Sequence, residues 1–474
     1  MKPNIFFLLI DSLRQDKCYG KTKTAKTPNL DELIKNGTIF EQAISPSSIT
    51  VPSTSSIFTG LHPYECTSLD NDIFNLISNS RTFIHDLKDL GYHISAIIPE
   101  SLIHTNLAKI FSDVETFNSF ATLYDDVGEK IQTKIKNGLK NHPWFLYIHL
   151  EDLHGNAVFH LNNEPQEIND QQLGKNQYDR MLSVMDAWLG NILNDIDKKN
   201  TFIIITSDHG STSADYTDEM LEFNKKNDNL RQVNPGIDYK FAHKLFSILP
   251  NEFTPIRKKL ANMYIDKRNK KVKKRLEPQL EIIPTLKLTP YQERILKKSV
   301  VYPRDCYDEN FRPALIFSGH KTPKGKIVKT QISSIDIFPT ILELIGSKSK
   351  NKHHGRSLVP LFNDMKFEEH PVLLDAASTT TESTYSDMVG IRTHKFKYFR
   401  DRKNPNKNLH LFNLERDPYE LNNIHEQHPD IVKNLEEELC KIKSDGDFSF
   451  KNTDQLSEDE VQKAKSILKK LGYI

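Results

Sequence analysis

The 474-residue chain has few cysteines, no long apolar run and almost no net charge, and each shortage excludes a class of protein. Its four cysteines are far apart without CxxC spacing, which excludes a disulfide scaffold or zinc ribbon and is typical of a reducing compartment. No apolar run reaches the roughly 18 residues that a membrane helix needs. Lys+Arg of 64 against Asp+Glu of 63 gives a net charge of +1, which excludes nucleic-acid binding through overall basic charge.

The apolar run near the N-terminus spans only Ile5 to Ile10 and ends at Asp11. It is too short for the core of a signal peptide and lacks a small-residue cleavage site. We therefore expect a soluble, cytoplasmic protein with no nucleic acid among its partners.

Short apolar runs alternate with helical patterns along the chain. The runs at 5–10, 93–98, 144–150, 202–206 and 314–317 are largely β-branched or aromatic and apolar on both faces, which predicts strands buried between layers of helix. Residues 171–196 have helical spacing, and Thr27, Pro28 and Gly37 are typical of an N-cap, a first turn and a stop. The alternation predicts a doubly wound α/β domain.

Two regions depart from this pattern. Residues 211–300 are polar and charged, and we interpret them as an insertion in a large α/β domain spanning 1–365. Between Arg257 and Arg275 lie ten Lys/Arg and one acid. This stretch indicates either a solvated helical face or a positive lid over an anionic substrate. Residues 366–474, with a hairpin pattern at 388–399 and helical patterns at 432–443 and 457–471, predict a small C-terminal α+β subdomain.

Polar residues follow two of the predicted strands. Asp11 follows the first, while Asp208 and His209 follow the strand at 202–206. Because ligands of open α/β sheets sit at the carboxyl ends of strands, these side chains could bind one divalent cation. The alternative is that Asp11 caps a helix and Asp208 caps a turn at Gly210.

A hydroxyl-rich stretch at 48–60 precedes a short helical pattern, with Pro52 suited to its first turn. Free N–H groups at a helix N-terminus favour a tetrahedral oxyanion, and a hydroxyl there could act as a nucleophile if a cation lowered its pKa. The alternative is an ordinary Ser/Thr-rich turn.

The order of these motifs resembles the sulfatase family of the alkaline phosphatase superfamily, from residue 3 to about 424 apart from 211–300. The matching segments are Pro3-Asn4-Ile5 with Asp11, Thr27–Asp31, Pro52-Ser53 with Thr59-Gly60 and Pro63, Asp208-His209-Gly210, Tyr307–Pro313, Ile335–Thr340, Gly355–Leu358 and Leu411–Asn423. The resemblance implies an alkaline-phosphatase-like, mostly parallel central sheet with helices on both faces.

The resemblance also implies a site. Asp11, Thr50, Asp208 and His209 fall on the family's metal-ligand positions, with Thr50 at that of the nucleophile. One divalent cation is implied, and manganese, zinc, calcium and magnesium all suit such ligands. Typical members carry Cys or Ser in a Cys-x-Pro-x-Arg context and convert it to formylglycine.

Here the nucleophile position is Thr50, the motif arginine is replaced by Thr54, and the second aspartate of the usual pair is replaced by Ser12. These departures resemble the threonine-nucleophile branch, which handles phosphoesters and includes membrane-spanning phosphoethanolamine and glycerophosphate transferases. They imply that no formylglycine forms.

Further residues are implied as substrate contacts. His154, past the strand at 144–150, matches the family's substrate histidine, whereas His149 lies inside that strand and is interpreted as a core residue. Arg304 matches a family cation that precedes Tyr307, with Lys297 and Lys298 as alternatives. Arg14 either pairs with an ester oxygen or forms a salt bridge with Asp16.

We therefore expect a metal-dependent hydrolase or transferase acting on phosphate or sulfate esters, with Thr50 as metal-bound nucleophile and His154 and Arg304 as further catalytic residues. The expected partner is an anionic ester, glycan- or lipid-linked by analogy with relatives. Two alternatives stay open, namely a sulfuric ester hydrolase that uses metal-bound water and a non-catalytic protein that binds anionic glycans or a partner.

Overall fold

The structure is a computed structural model that describes residues 2–70, 73–119, 121–139, 143–155, 165–231, 274–301, 305–376 and 387–442. Arg304, most of the basic segment at 257–275 and the helical pattern at 457–471 lie outside the described residues.

The centre of the fold is an eight-stranded sheet. Its strands, numbered along the whole chain, are β1 (Asn4–Ile10), β2 (Gly37–Phe40), β6 (His93–Pro99), β7 (Asp113–Phe117), β8 (Trp144–Leu150), β9 (Thr201–Thr206), β10 (Leu315–Gly319) and β11 (Lys326–Val328). The spatial order is β11-β2-β10-β9-β1-β8-β6-β7. Only β10 runs antiparallel to its neighbours within this sheet.

The described residues also form two short two-stranded ribbons and a second, four-stranded sheet. The ribbons pair β3 (Ala43–Ile44) with β12 (Ile332–Ser333), and β4 (Thr67–Asp70) with β5 (Ile73–Leu76). The second sheet is antiparallel and contains β13 (Val372–Ala376), β14 (Met388–Arg392), β15 (Phe396–Asp401) and β16 (His410–Asn413).

Helices cover both faces of the central sheet. The α-helices are Gln15–Cys18, Pro28–Lys35, Thr50–Thr59, Pro63–Cys66, Phe83–Asp89, Asn106–Lys109, Gly128–Thr133, Gln177–Asn194, Asp218–Arg231, 274–282, Pro290–Val301, Asp308–Phe311, Ile337–Leu344, Val359–Phe362 and Pro429–Ile442. Alternate side chains of β1 enter separate cores, with Phe7 packing on the face of the helix Thr50–Thr59 and Leu8 on that of Gln177–Asn194. The predicted α/β class and mostly parallel sheet are confirmed.

The prediction from apolar runs was accurate for the central strands and incomplete at the edges. Strands β1, β6, β8 and β9 match their predicted ranges within one residue, and β10 begins one residue late and ends two residues late. The sequence reasoning did not find β2, β7 or β11, because these edge-side strands are short or carry charged residues such as Asp113, Glu115 and Lys326.

The helix Pro28–Lys35 begins where predicted but is capped differently. Thr27 holds the N-cap position without a side-chain capping bond. Instead, Asp186 accepts hydrogen bonds from the backbone N–H of Asn29 at 2.9 Å and of Leu30 at 2.8 Å. The helix ends at Lys35, just before Gly37, as predicted. Gly37 begins β2, where an added Cβ would lie 2.2 Å from the carbonyl oxygen of Phe317.

The region 211–300 is more apolar in structure than its composition predicts. The helices Asp218–Arg231, 274–282 and Pro290–Val301 contribute to a hydrophobic cluster of its own, centred on Met220, Ile283, Ile295 and Leu296. The described part of this region therefore has a small core of its own, while the two alternatives for the basic stretch at 257–275 stay predictions. No helix in the described residues is long and apolar enough to cross a membrane.

The second sheet confirms the predicted hairpin and C-terminal subdomain. One face packs on Ile44 and Phe311 of the preceding chain. The other is covered by the helix Pro429–Ile442 through Leu435 and Leu439. The predicted boundary at residue 365 stays a prediction.

Buried ion pairs connect the second sheet to the segment before β10. Asp308 accepts hydrogen bonds from Arg392 Nε and Nη2, both at 2.9 Å, and from Lys397. Lys397 is fully buried and also pairs with Glu420 at 2.8 Å. Burial alone would raise the pKa of Asp308, but Arg392 and Lys397 outweigh it and hold the pKa well below its ordinary value.

Asp308→Asn should destabilise the protein by about 3–5 kcal/mol, because it removes the carboxylate that pairs with the buried Arg392 and leaves the buried Lys397 with Glu420 alone. Urea unfolding of the variant and of the parent protein measures this difference. The matched control is Glu415→Gln, which removes an exposed carboxylate and should shift stability by less than about 0.5 kcal/mol. Equal effects of the two substitutions would show that the buried pairs add no stability.

The buried carboxyl of Glu309 should make the free energy of unfolding depend on pH in the acidic range. Burial would raise its pKa, but Lys298 and Arg294 lower it from 4.5 to about 2. Because the folded pKa is depressed, this stabilisation is present above about pH 4.5 and disappears as the pH falls toward 2. The free energy of unfolding should decline over that window, less steeply in Glu309→Gln, and an unchanged pH slope in the variant would contradict the assignment.

Candidate active site

The carboxyl ends of three adjacent strands bring the site together. β1 pairs in parallel with β8 on one side and β9 on the other, with Leu9 opposite both His149 and Thr206. The chain just past these strands therefore collects at one edge of the sheet. Asp11 follows β1, Asp208 follows β9 after one residue, and His154 follows β8.

Asp11, Asp208 and His209 form a compact buried cluster. One ligand atom from each lies within 4.8 Å of the others. His209 Nε2 is 3.4 Å from Asp208 Oδ2 and 3.9 Å from Asp11 Oδ1. Three of the four sequence-predicted ligands thus meet at one point.

The fourth, Thr50, joins the same cluster. It begins the helix Thr50–Thr59, and its Oγ1 donates to Asp11 Oδ2 at 3.3 Å and lies 3.4 Å from His209 Nε2. Ser53 anchors this helix end to the site, because its hydroxyl donates to the backbone carbonyl of Asp208 at 2.5 Å.

The ligand side chains are oriented by a second set of hydrogen bonds. His209 Nδ1 is 2.8 Å from the carbonyl oxygen of Gly210, which requires the proton on Nδ1 and leaves the Nε2 lone pair facing the cluster. Ser12, at a left-handed φ of 66°, donates from Oγ to Asp11 Oδ1 at 2.7 Å. The backbone N–H of His209 donates to Asp208 Oδ1 at 2.9 Å.

The donor set fits a cation. Asp208 Oδ2 is buried and has no hydrogen-bond partner among the described residues, and neither Asp11 nor Asp208 forms an ion pair with a described lysine or arginine. Two ionised carboxylates with charges 4.8 Å apart repel by about 3.5 kcal/mol at an effective dielectric constant of about 20. A divalent cation would remove this repulsion, and carboxylate and imidazole ligands suit manganese or zinc.

Two histidines lie beside the cluster in neutral form. Burial lowers the pKa of His149 to about 4 and also lowers the pKa of His154. In both histidines the charge of Asp208 opposes this shift, and His209 adds to it. His149 Nδ1 is 2.9 Å from the hydroxyl of Tyr147, and its Nε2 is buried without a partner among the described residues. His149 is buried as predicted, yet it borders the site.

The sequence reasoning missed Glu151. This carboxyl is buried directly after β8 and accepts a hydrogen bond from Ser101 Oγ at 3.1 Å. Burial and the nearby charge of Asp11 raise its pKa well above the ordinary value. The sequence pattern could have identified Glu151, because a polar residue directly after an apolar strand is the pattern that identified Asp11.

Arg14 forms the predicted salt bridge with Asp16, which was the alternative to contact with an ester oxygen. Its guanidinium donates to Asp16 at 2.9 and 2.8 Å, to Asp215, and to the carbonyl oxygen of Ser211 at 3.2 Å. These contacts hold the loop after β1 against the loop after β9. Contact of Arg14 with substrate stays a prediction.

The alternatives to Arg304 are both in ion pairs. Lys298 contacts Asp305 at 3.0 Å and Glu309 at 3.1 Å, and Lys297 pairs with Glu293. Arg304 itself lies outside the described residues, so its catalytic role stays a prediction.

Comparisons with known proteins agree with this architecture. A family model described as Sulfatase matches residues 3–235, and one described as N-sulphoglucosamine sulphohydrolase, C-terminal, matches residues 301–445. Arylsulfatase K of Danio rerio is 29% identical over 147 residues, which cover 30% of this chain and 27% of that protein. The match therefore spans about a quarter of this relative's length.

Two solved structures share the fold. One, in complex with its substrate D-glucosamine-2-N,6-O-disulfate, has a TM-score of 0.61 and 16% identity, covering 95% of this chain and 100% of its own. The other, the phosphonate monoester hydrolase of Agrobacterium radiobacter, has a TM-score of 0.59 and 14% identity, covering 94% and 96%. Together, the family models and the structures support placing this chain in the alkaline-phosphatase-like sulfatase superfamily.

The cluster predicts binding of Mn²⁺ that depends on Asp208. Isothermal titration should show about one equivalent bound by the parent protein and none of comparable affinity by Asp208→Asn, because the substitution removes one of two anionic ligands. Asp197→Asn, which changes an exposed aspartate, should bind like the parent. Undiminished Mn²⁺ binding by Asp208→Asn would contradict the site.

Proposed function

We propose that this protein is a metal-dependent hydrolase or transferase of phosphate or sulfate esters, with Thr50 as its nucleophile. The observation that carries the proposal is the position of Thr50 Oγ1, 3.3 Å from Asp11 Oδ2 and 3.4 Å from His209 Nε2. A hydroxyl held at a two-carboxylate, one-histidine cluster has the placement that an activated nucleophile requires.

Asp11, Asp208, His209 and Thr50 would hold one divalent cation. When bound, the cation supplies positive charge that lowers the pKa of a coordinated hydroxyl and offsets charge on the ester oxygens. The residues of the chain supply the rest. Thr50 Oγ1 points its proton at Asp11 Oδ2, so this carboxylate is placed to accept the proton as the oxygen attacks.

In the proposed reaction Thr50 Oγ1 forms a bond to phosphorus or sulfur while the bond to the leaving alcohol breaks. The positive end of the dipole of the helix Thr50–Thr59, which begins at the nucleophile, would favour the developing negative charge. Neutral His154 would donate its ring N–H to an ester oxygen or to the leaving group. Water or an acceptor alcohol then takes the group from Thr50, which gives hydrolysis or transfer respectively.

Threonine at position 50 favours phosphoryl chemistry. A threonine ester of phosphate can be displaced by attack at phosphorus, whereas a formylglycine-type site, which threonine does not offer, expels sulfate from a hemiacetal. The position of the motif arginine holds Thr54, which is buried and carries no charge to bind an oxyanion. The likeness to a phosphonate monoester hydrolase agrees with attack at phosphorus.

Sulfate esters of a glycan are the second candidate substrates. The likeness to arylsulfatase K supports a sulfate ester, and the structure solved with a disulfated glucosamine supports one linked to a sugar. In this case water activated at the same cluster, rather than Thr50, would attack sulfur. A non-catalytic protein that binds anionic glycans is the remaining outcome, and the intact cluster of Asp11, Asp208 and His209 argues against it.

Thr50→Ala should lower kcat by at least about 10³-fold on every ester that the parent protein turns over, because it removes the attacking oxygen. A panel of aryl phosphate, phosphodiester, phosphonate and sulfate esters, each with Mn²⁺, measures the effect. Intact-protein mass spectrometry on the parent should show a covalent adduct that Thr50→Ala lacks.

Thr50→Ser is the matched variant, because it keeps a hydroxyl at the same position and should retain both turnover and the adduct. Full turnover by Thr50→Ala would contradict the nucleophile assignment. Sulfate release by that variant, with Mn²⁺ still bound, would select the water mechanism instead. Absence of turnover and adduct in the parent across the panel would support the non-catalytic alternative.

A further inference from the structure

A second group of metal-ligating side chains lies outside the candidate active site. His62, Glu65 and His354 each offer one ligand atom, and these atoms lie within 4.8 Å of one another. His62 and Glu65 are three residues apart, one helical turn, at the helix Pro63–Cys66. His354 comes from the loop before the helix Val359–Phe362, so the cluster joins two distant segments of chain.

The three side chains are already held in place. His354 Nε2 is 3.0 Å from Glu65 Oε1 and 2.9 Å from Oε2. The backbone N–H of His62 donates to Glu65 Oε2 at 2.9 Å, and that of His354 donates to the carbonyl oxygen of Gly60 at 2.8 Å. The rings of His62 and His354 stack with centroids 4.5 Å apart. To bind one ion, the stacked rings would turn so that a nitrogen of each faces it, and Glu65 would exchange its contact with His354 Nε2 for a bond to the ion.

One donor atom of the cluster has no partner of its own. His62 Nδ1 is buried and makes no hydrogen bond among the described residues. A buried imidazole nitrogen beside a carboxylate is a donor that a cation could use.

We propose that His62, Glu65 and His354 form a second metal site, which binds one Zn²⁺ and shares no residue with the Asp11, Asp208 and His209 cluster. Two imidazoles and one carboxylate are the donor set of three-ligand zinc sites that keep an open position for water. A bound ion would also restrain neighbouring segments. His62 stacks on Tyr64, whose hydroxyl donates to the carbonyl oxygen of Ile442 at the end of the helix Pro429–Ile442.

Zinc counting on the full-length protein tests the proposal. After equilibration with Zn²⁺ and removal of loosely bound ion, elemental analysis should find one equivalent less in His354→Ala and in Glu65→Gln than in the parent. His428→Ala, which changes an exposed histidine outside the cluster, should lose none. Zn²⁺ should also raise the Tm of Asp208→Asn, which retains the second site, by more than it raises that of His354→Ala combined with Asp208→Asn.

Glu65→Gln guards against a folding artefact, because the amide can still accept the hydrogen bond from the His62 backbone. Equal zinc content in the parent, His354→Ala and Glu65→Gln would overturn the proposal, whatever the state of the active site. Loss of one equivalent in either folded variant, with His428→Ala unchanged, would establish it.

Discussion

The parallel pairing of β1 with both β8 and β9 is the constraint on which the candidate site depends. It places the residues after three strands at one edge of the sheet, although they are up to 198 positions apart between Asp11 and His209. The apolar side chains of β1 enter cores on both faces, so its register cannot shift without moving that whole set. The energy of burying those faces thus fixes the position of two like-charged carboxylates that repel each other.

Buried carboxyl groups elsewhere in the molecule are stabilised in a different way. Asp308 and Glu309 are buried beside Arg392, Lys397, Arg294 and Lys298, and these cations keep both carboxyls ionised. The carboxylates of the candidate site have no such described partner. The charges of Asp308 and Glu309 are therefore balanced by cations of the chain itself. Asp11 and Asp208 are instead placed so that a bound cation could balance theirs.

The central strands and three cluster residues could be predicted because their causes are local. Apolar runs indicate buried strands, and a carboxylate at the end of such a run must lie at the sheet edge. The rest depends on tertiary contacts that no local pattern encodes. Asp186, rather than Thr27, satisfies the start of a helix, and Arg14 is held by Asp215. The cluster of His62 and Glu65 with His354 forms only when segments 289 or more positions apart meet.

The most direct test of the account is a crystal structure of the protein grown with Zn²⁺ and orthovanadate, with anomalous scattering used to locate both elements. The account predicts zinc at about 2.0–2.2 Å from ligand atoms of Asp11, Asp208 and His209, with vanadium bonded to Thr50 Oγ1. Zinc at that cluster with vanadate bound away from Thr50 would contradict the nucleophile assignment. Absence of zinc from the cluster, in a protein that still turns over esters, would contradict the account as a whole.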